Sequence, residues 1–199
     1  MSRFGITMIV AGVLLLGMPA FSQSEEGSRS EVSAQFFGTF VHSSNKDGVQ
    51  QSSSNSGGIL AAYRFFFSRH HGIEANYGYS RSTATYSFDS GTSGVGANRH
   101  EWSGAYVLRF PIRSVTPFFL AGAGGLTFAP LNSPGASTQT RAAFVYGAGA
   151  NVNMTHHVFI KAQYRGFVYN SPTFNLAANR GADRVTHLAE PSVGLGVRF

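Results

Sequence analysis

Pro191-Ser-Val-Gly-Leu-Gly-Val-Arg-Phe199 alternates apolar residues with small or polar ones up to an aromatic residue. Since successive side chains of a β-strand point to opposite faces, this segment predicts a strand with one apolar and one polar face. The apolar face consists of Val193, Leu195, Val197 and Phe199. In a soluble sandwich that face would point inward, whereas in a membrane barrel it points to lipid. The strand therefore predicts a sheet that closes on itself, and the rest of the chain has to indicate which face meets water.

The opposite end of the chain carries the marks of export. Arg3 is followed by an apolar stretch over residues 4–18 and by the small-x-small pattern Ala20-Phe21-Ser22. This arrangement is typical of a secretory signal peptide, whereas a retained membrane anchor needs a longer apolar run. We therefore expect three segments. They are a cleaved signal peptide at 1–22, a flexible leader at 23–30 and the folded β-barrel domain at 31–199.

The composition indicates that the apolar surface of the protein is carried by β-strands. The chain is 43% hydrophobic and only 12% charged, yet no second stretch is long enough for a transmembrane helix. It contains 18 Phe and 24 Gly, which suit pleated surfaces, interfacial belts and tight bends. There is no cysteine to form a disulfide. A formal charge of +6 without clustered basic residues is unlike a nucleic-acid-binding surface, so no nucleic-acid partner is expected.

Eight stretches of the chain predict strands, and their connections alternate in length. The predicted strands are 32–43, 57–67, 72–83, 99–110, 116–128, 141–153, 158–169 and 185–199. Short connections at 68–71, 111–115 and 154–157 alternate with longer polar ones at 44–56, 84–98, 129–140 and 170–184. Short turns at one rim and long loops at the other are typical of bacterial outer-membrane barrels. A soluble barrel such as a lipocalin would tolerate the same unequal loops.

The two faces of the predicted strands separate these two kinds of barrel. In the third strand Ile73 and Tyr77 lie opposite Glu74, and in the fourth Trp102 lies opposite Glu101. The interior of eight strands is barely wide enough for ordinary side chains, so the aromatic rings fit better outside. The charged residues then point into the lumen, where opposite charges can pair. We expect this lumen charge cluster, with a structural or gating role, to contain Arg64, Glu74, Glu101, Arg109, Lys161, Arg165, Glu190 and Arg198.

The fifth and sixth predicted strands are less regular. In the fifth, a row of four apolar residues predicts a lipid-facing side, which Phe119 interrupts. The row consists of Phe118, Leu120, Leu126 and Phe128. In the sixth, three large residues in succession at 144–146 leave the facing open. Gly122 and Gly149 are among the glycines that predict bends in the wall or room for inner side chains.

The fold class that these patterns indicate is all-β, an eight-stranded antiparallel up-and-down transmembrane barrel with short periplasmic turns and four longer extracellular loops. The sequence resembles the OmpA-type eight-stranded outer-membrane β-barrel domain over residues 31–199. The pieces that carry the resemblance are Leu120-Ala-Gly-Ala-Gly124, Ala162-Gln-Tyr-Arg165 leading to Tyr169-Asn-Ser-Pro172, and the closing strand. The resemblance implies a place in the outer membrane of a Gram-negative cell, contact with its lipids, and a terminal Phe199 that the barrel-assembly machinery reads as a signal.

We expect a non-enzymatic protein without cofactor or metal, with a structural, envelope-integrity or surface-interaction role. One alternative is a lipid A-modifying hydrolase, since His42-Ser43-Ser44-Asn45 is similar to the catalytic stretch of lipid A deacylases. A triad would need a carboxylate beside His42, and the strand glutamates lie on the inner face. Another alternative is a narrow ion-conducting pore gated by the lumen charges. The pairs His70-His71 and His156-His157 have no third metal ligand nearby in the predicted turns.

Overall fold

The computed structural model describes residues 28–41, 45–46, 49–53, 56–88, 91–131, 137–170 and 185–199. These residues form ten β-strands. The strands are β1 (Ser30–Val41), β2 (Asn45–Lys46), β3 (Val49–Ser53), β4 (Ser56–Phe66), β5 (His71–Phe88), β6 (Gly91–Arg109), β7 (Val115–Leu131), β8 (Gln139–Asn153), β9 (Val158–Asn170) and β10 (Val185–Arg198). Within these ranges, no helix is long and apolar enough to span a membrane. The predicted signal peptide lies outside the described residues.

Eight of the strands form a closed antiparallel ring. β4 to β10 pair in chain order, and β1 pairs with β4 on one side and with β10 on the other. At this seam Glu31 lies opposite Arg198. Ser30 and Phe199 exchange two backbone hydrogen bonds, of 3.0 and 2.9 Å. Because a closed ring has no free strand edge, its backbone groups are satisfied without water. The predicted eight-stranded barrel is confirmed.

The two rims differ as the loop lengths predicted, with one correction. Short turns at 67–70, 110–114 and 154–157 share a rim with Ser30 and Phe199. At the opposite rim the predicted loop 84–98 is wrong, because β5 and β6 stay paired as far as Phe88 opposite Gly91. The short strands β2 and β3 occupy part of the predicted loop 44–56, and β3 pairs with β5. Polar composition does not prevent such pairing above a membrane, where water can face both sides of a hairpin.

The predicted outward row of the fifth strand is also wrong. Phe118 of β7 is only 1% exposed, whereas Phe119 is 58% exposed. Leu120, Leu126 and Phe128 share the inner face with Phe118 and are buried. A row of apolar residues indicates a lipid-facing side only where the lumen is polar, and this part of the lumen is itself apolar. Gly149 of β8 provides the predicted room, since an added Cβ would lie 2.6 Å from Cζ of Phe118.

The remaining faces agree with the sequence. Tyr77, Tyr106 and Tyr164 lie on the outer surface, while Glu74 and Arg165 are buried inside. The open question of the sixth predicted strand is settled in β8, where Val145 is buried and its neighbours Phe144 and Tyr146 are exposed. In β10 the outward row Val193, Leu195 and Val197 is exposed. The outer surface of the ring is thus apolar and aromatic, which suits contact with lipid.

Candidate functional site

The lumen holds a network of charged side chains, which divide into three clusters by their distance along the strands from the short turns. The cluster farthest from the turns, here called the upper cluster, contains Arg99, Glu101, Arg165 and Glu190. Arg165 Nη2 lies 2.8 Å from Glu190 Oε2 and also contacts Glu101. Arg99 contacts Glu190 and lies 3.5 Å from Glu101. Two arginines and two glutamates therefore neutralise each other, and all four side chains are buried.

The middle cluster centres on Glu74 of β5. Its carboxylate contacts Nε of Arg64 on the adjacent β4 and lies 2.8 Å from Nζ of Lys161. Nδ2 of Asn76 donates a further hydrogen bond of 2.9 Å to Glu74. The Arg64 guanidinium lies 3.8 Å from the centre of the Phe118 ring, a cation–π contact. One carboxylate therefore serves two buried cations, so the middle cluster carries excess positive charge.

The lower cluster lies beside the seam and the short turns. Glu31 Oε1 lies 3.5 Å from Nη1 of Arg109 and 3.4 Å from Nη2 of Arg198. Nδ2 of Asn151 donates a hydrogen bond of 3.2 Å to the other carboxylate oxygen. Arg109 and Arg198 are partly exposed, unlike the charged groups of the other two clusters. This cluster therefore lies where the lumen begins to open toward the rim of short turns.

All eight predicted lumen residues lie on the inner face, and the three clusters contain two further charged residues, Glu31 and Arg99, that the sequence reasoning missed. Glu31 is the first residue of the predicted domain and lies before the first predicted strand, but its alternation with Ser33 and Gln35 indicates the inner face. Arg99 is the first residue of the predicted strand 99–110, and it lies on the same face as Glu101 because the two are two residues apart. Each of the two supplies a partner in its cluster, Glu31 for Arg109 and Arg99 for Glu190.

An apolar wall completes the lumen on the side of β7 to β10. It comprises Leu120, Leu126, Phe128, Val145, Phe167, Tyr169 and Leu188. The rings of Phe128 and Tyr169 stack with centroids 6.0 Å apart. Phe167 also lies 5.2 Å from the guanidinium carbon of Arg165, so the apolar wall joins the upper cluster. Charged groups and large apolar side chains together fill this part of the interior.

The other candidate sites have less support. His42 and Ser44 lie outside the described residues, so the hydrolase pair is not located. Within the described part of the chain, no three His, Cys, Asp or Glu residues are grouped to hold a metal. His71 instead contacts the hydroxyl of Tyr106 on the outer surface. What the lumen clusters can do chemically is to hold the interior together and set its charge.

Comparisons with known proteins agree with this geometry. A family model described as an outer membrane protein beta-barrel domain matches residues 8–199. A 22 kDa outer membrane protein of Rhizobium leguminosarum bv. viciae is 28% identical over 135 residues, which are 65% of this chain and 58% of that protein. The chain thus spans under two thirds of the length of this relative.

Two solved structures show the same fold at low sequence identity. The outer membrane protein OprG of Pseudomonas aeruginosa matches with a TM-score of 0.64 and 12% identity, over 87% of this chain and 96% of that one. The N-terminal β-barrel domain of OprF from the same organism matches with a TM-score of 0.52 and 19% identity, over 87% of this chain and 100% of that one. The predicted resemblance to an eight-stranded outer-membrane barrel domain is thus confirmed for the fold.

Proposed function

Since this chain belongs to the outer membrane protein β-barrel domain family and resides in the outer membrane, we propose that it is a structural, non-enzymatic barrel. In this proposal its closed lumen contributes to envelope integrity, and its loop rim is available for surface interaction. The cross-lumen ion pairs are the observation that carries the proposal.

These ion pairs join strands that are not neighbours in the ring. Arg99 of β6 contacts Glu190 of β10, Lys161 of β9 contacts Glu74 of β5, and Arg109 of β6 contacts Glu31 of β1. Each contact therefore crosses the interior instead of running along the wall. A water-filled pore needs its axis free of side chains, whereas here the axis is occupied by paired charges. The arrangement supports a role of the clusters as internal braces.

The loop rim supports the second half of the proposal. β5 and β6 pair beyond the end of their neighbours, and β3 adds to β5 through the pairing of Gln51 with Tyr86. The four strands β2, β3, β5 and β6 thus continue as a small sheet above the ring. A paired backbone provides a more rigid surface than an open loop, and rigid surfaces lose less entropy on binding. We propose that this extension is where an interaction partner would be recognised.

A planar-bilayer measurement tests whether the lumen is closed. We expect the refolded protein to give no stable conductance steps, because ions would have to displace the buried pairs of the upper and middle clusters. A porin added to the same bilayer serves as the positive control. Steps that change with Arg165→Gln, in the upper cluster, but not with Arg81→Gln, on the outer surface, would contradict the proposal and support the narrow pore.

We also propose that residues 1–22 direct export and that the barrel-assembly machinery reads β10 through Phe199. Phe199 hydrogen-bonds to Ser30 only through its backbone. The barrel can therefore close without the aromatic side chain of Phe199. We therefore expect Phe199→Ala to refold in micelles as the original protein does, yet to reach the outer membrane in smaller amounts.

The measurement is the fraction of chain in cell envelopes that shows the heat-dependent shift in gel mobility of a folded barrel. Val197→Ala, an outward substitution two residues earlier, is the matched control and should assemble normally. If Phe199→Ala and Val197→Ala assemble equally well, Phe199 is not the signal. The sensitivity of the cells to detergent should rise only for variants that lose assembled barrel. This relates the assembly measurement to envelope integrity.

A further inference from the structure

The rim of short turns surrounds a cavity that the proposed function does not use. Its volume is about 760 Å³, and it lies between Ser28 and Arg29, which precede β1, the three short turns and the lower cluster. Five arginines line it. They are Arg29, Arg69, Arg109, Arg113 and Arg198. His156 and His157 of the turn before β9 add two imidazoles, and the volume lies within the range of sites that hold small molecules.

The positive charge of this cavity is only partly compensated within the described residues. Their carboxylate side chains are Glu31, Glu74, Glu101 and Glu190, and only Glu31 lies at this end of the lumen. Glu31 already pairs with both Arg109 and Arg198. Leaving Arg29 aside, one carboxylate side chain against the four guanidinium groups of Arg69, Arg109, Arg113 and Arg198 leaves an excess that attracts an anion, and the apolar walls of the cavity would strengthen that attraction.

The guanidinium groups at the floor of the cavity are held in place. Nε of Arg109 donates a hydrogen bond of 3.0 Å to the carbonyl oxygen of Arg69, and its guanidinium carbon lies 3.4 Å from the centre of the Phe66 ring. The guanidinium carbon of Arg198 lies 5.0 Å from the centre of the Phe159 ring. A guanidinium held in place in this way loses little entropy on binding and favours a planar or tetrahedral oxyanion.

The turns that carry the other cationic groups are also ordered. Ser68 Oγ accepts hydrogen bonds of 3.3 and 3.1 Å from the backbone N–H groups of His70 and His71. The Ile112–Val115 pair closes the second turn with bonds of 2.8 and 2.9 Å. Inside that turn Arg113 has a φ of 47°, a left-handed conformation that residues other than glycine adopt rarely. The turn places the Arg113 side chain at the wall of the cavity.

From these observations we propose that the cavity at the rim of short turns, on the periplasmic side, is a binding site for a phosphate-bearing anion. Arg69 and Arg113 contact it at the mouth, and Arg109 and Arg198 contact it at the floor. A di- or polyanionic phosphate matches the excess charge better than a single carboxylate does. Its source is either a soluble phosphorylated solute or the headgroup of a phospholipid in the inner leaflet.

Calorimetric titration of the refolded barrel in zwitterionic micelles, with pyrophosphate as the probe, tests this site. We expect saturable binding with one site per chain. Arg113→Gln should weaken it about ten- to a hundredfold, the worth of one or two charge-assisted hydrogen bonds. Arg81→Gln is the matched control, since Arg81 lies on the outer surface near the opposite rim and its loss changes the net charge equally. Absence of saturable binding, or an equal loss in both variants, overturns the proposal.

Nanodiscs distinguish the two sources. If nanodiscs of phosphatidylglycerol reduce pyrophosphate binding relative to nanodiscs of phosphatidylcholine, a lipid headgroup occupies the site. If both lipids leave binding unchanged, the ligand is a soluble solute, and either result supports a phosphate site. Circular dichroism and the gel-mobility shift of Arg113→Gln check that the variant is folded. Since the probe never has to cross the barrel, this test is independent of the conductance measurement.

Discussion

Replacing Glu74 by alanine should destabilise the folded barrel by about 3–5 kcal/mol, the usual cost of removing one partner from a buried ion pair. Glu74 is buried and serves two cations, Arg64 and Lys161, so its loss leaves both without their carboxylate in a closed interior. The measurement is urea unfolding of the barrel in lipid vesicles. Trp102, the single tryptophan, lies on the outer surface and reports the change from lipid to water.

Two further variants separate electrostatics from packing. Asn76→Ala removes only a neutral hydrogen-bond donor to Glu74 and should cost about 1 kcal/mol. Adding Lys161→Met to Glu74→Ala removes one of the two cations left without a carboxylate. The double variant should therefore lose less stability than the sum of the losses in the two single variants. If Glu74→Ala costs no more than Asn76→Ala, water must already solvate these cations. That outcome would contradict a closed lumen.

Replacing Val193 by arginine should destabilise the barrel by about 2–4 kcal/mol, the cost of a basic side chain facing the middle of the bilayer. Val193 is 55% exposed on the outer surface of β10, and its neighbours across the adjacent strands are Phe36 and Ala162. Its surroundings are therefore apolar on both sides. Urea unfolding in vesicles gives the free energy of unfolding.

Val185→Arg is the matched control for this prediction. Val185 is in the same strand, on the same face and 74% exposed, but it is the first residue of β10, at the loop rim. There the arginine can reach the headgroups, and we expect a cost of about 0–1 kcal/mol. Equal costs at the two positions would mean that depth in lipid does not matter, and the assignment of this face to the bilayer would be wrong. Refolding of both variants in micelles, without a bilayer, should show little difference between them.

The sequence predicted the barrel because closure in lipid imposes a period of two on every strand. Six predicted strands begin and end within three residues of the observed ones, and the seam between β1 and β10 follows from an even strand count. The two predicted strands that flank the loop 84–98 are shorter than the observed β5 and β6. A stretch of serine, threonine and glycine does not distinguish a loop from a water-exposed β-hairpin, because neither face of such a hairpin has to be apolar.

The lumen charge cluster was predictable for the same reason of alternation, since the charged residues share one parity along each strand. The inner face of β7 was not, because Phe118 and Phe119 are the same residue type in succession. Only the packed interior distinguishes them. Phe118 contacts the Arg64 guanidinium and fits beside Gly149, whereas Phe119 lies among the rings at the outer surface.

The sequence was sufficient for six of the eight barrel strands, for the closed ring and for the place of the protein in the outer membrane, because alternation and the signal-like N-terminal segment are local properties of the chain. The tertiary structure alone decided which charges meet across the lumen and that five arginines from separate turns and strand ends surround one cavity. Those groupings depend on strand register and on where each turn ends. Residues as far apart in the chain as Glu31 and Arg109 become partners only when the ring has closed.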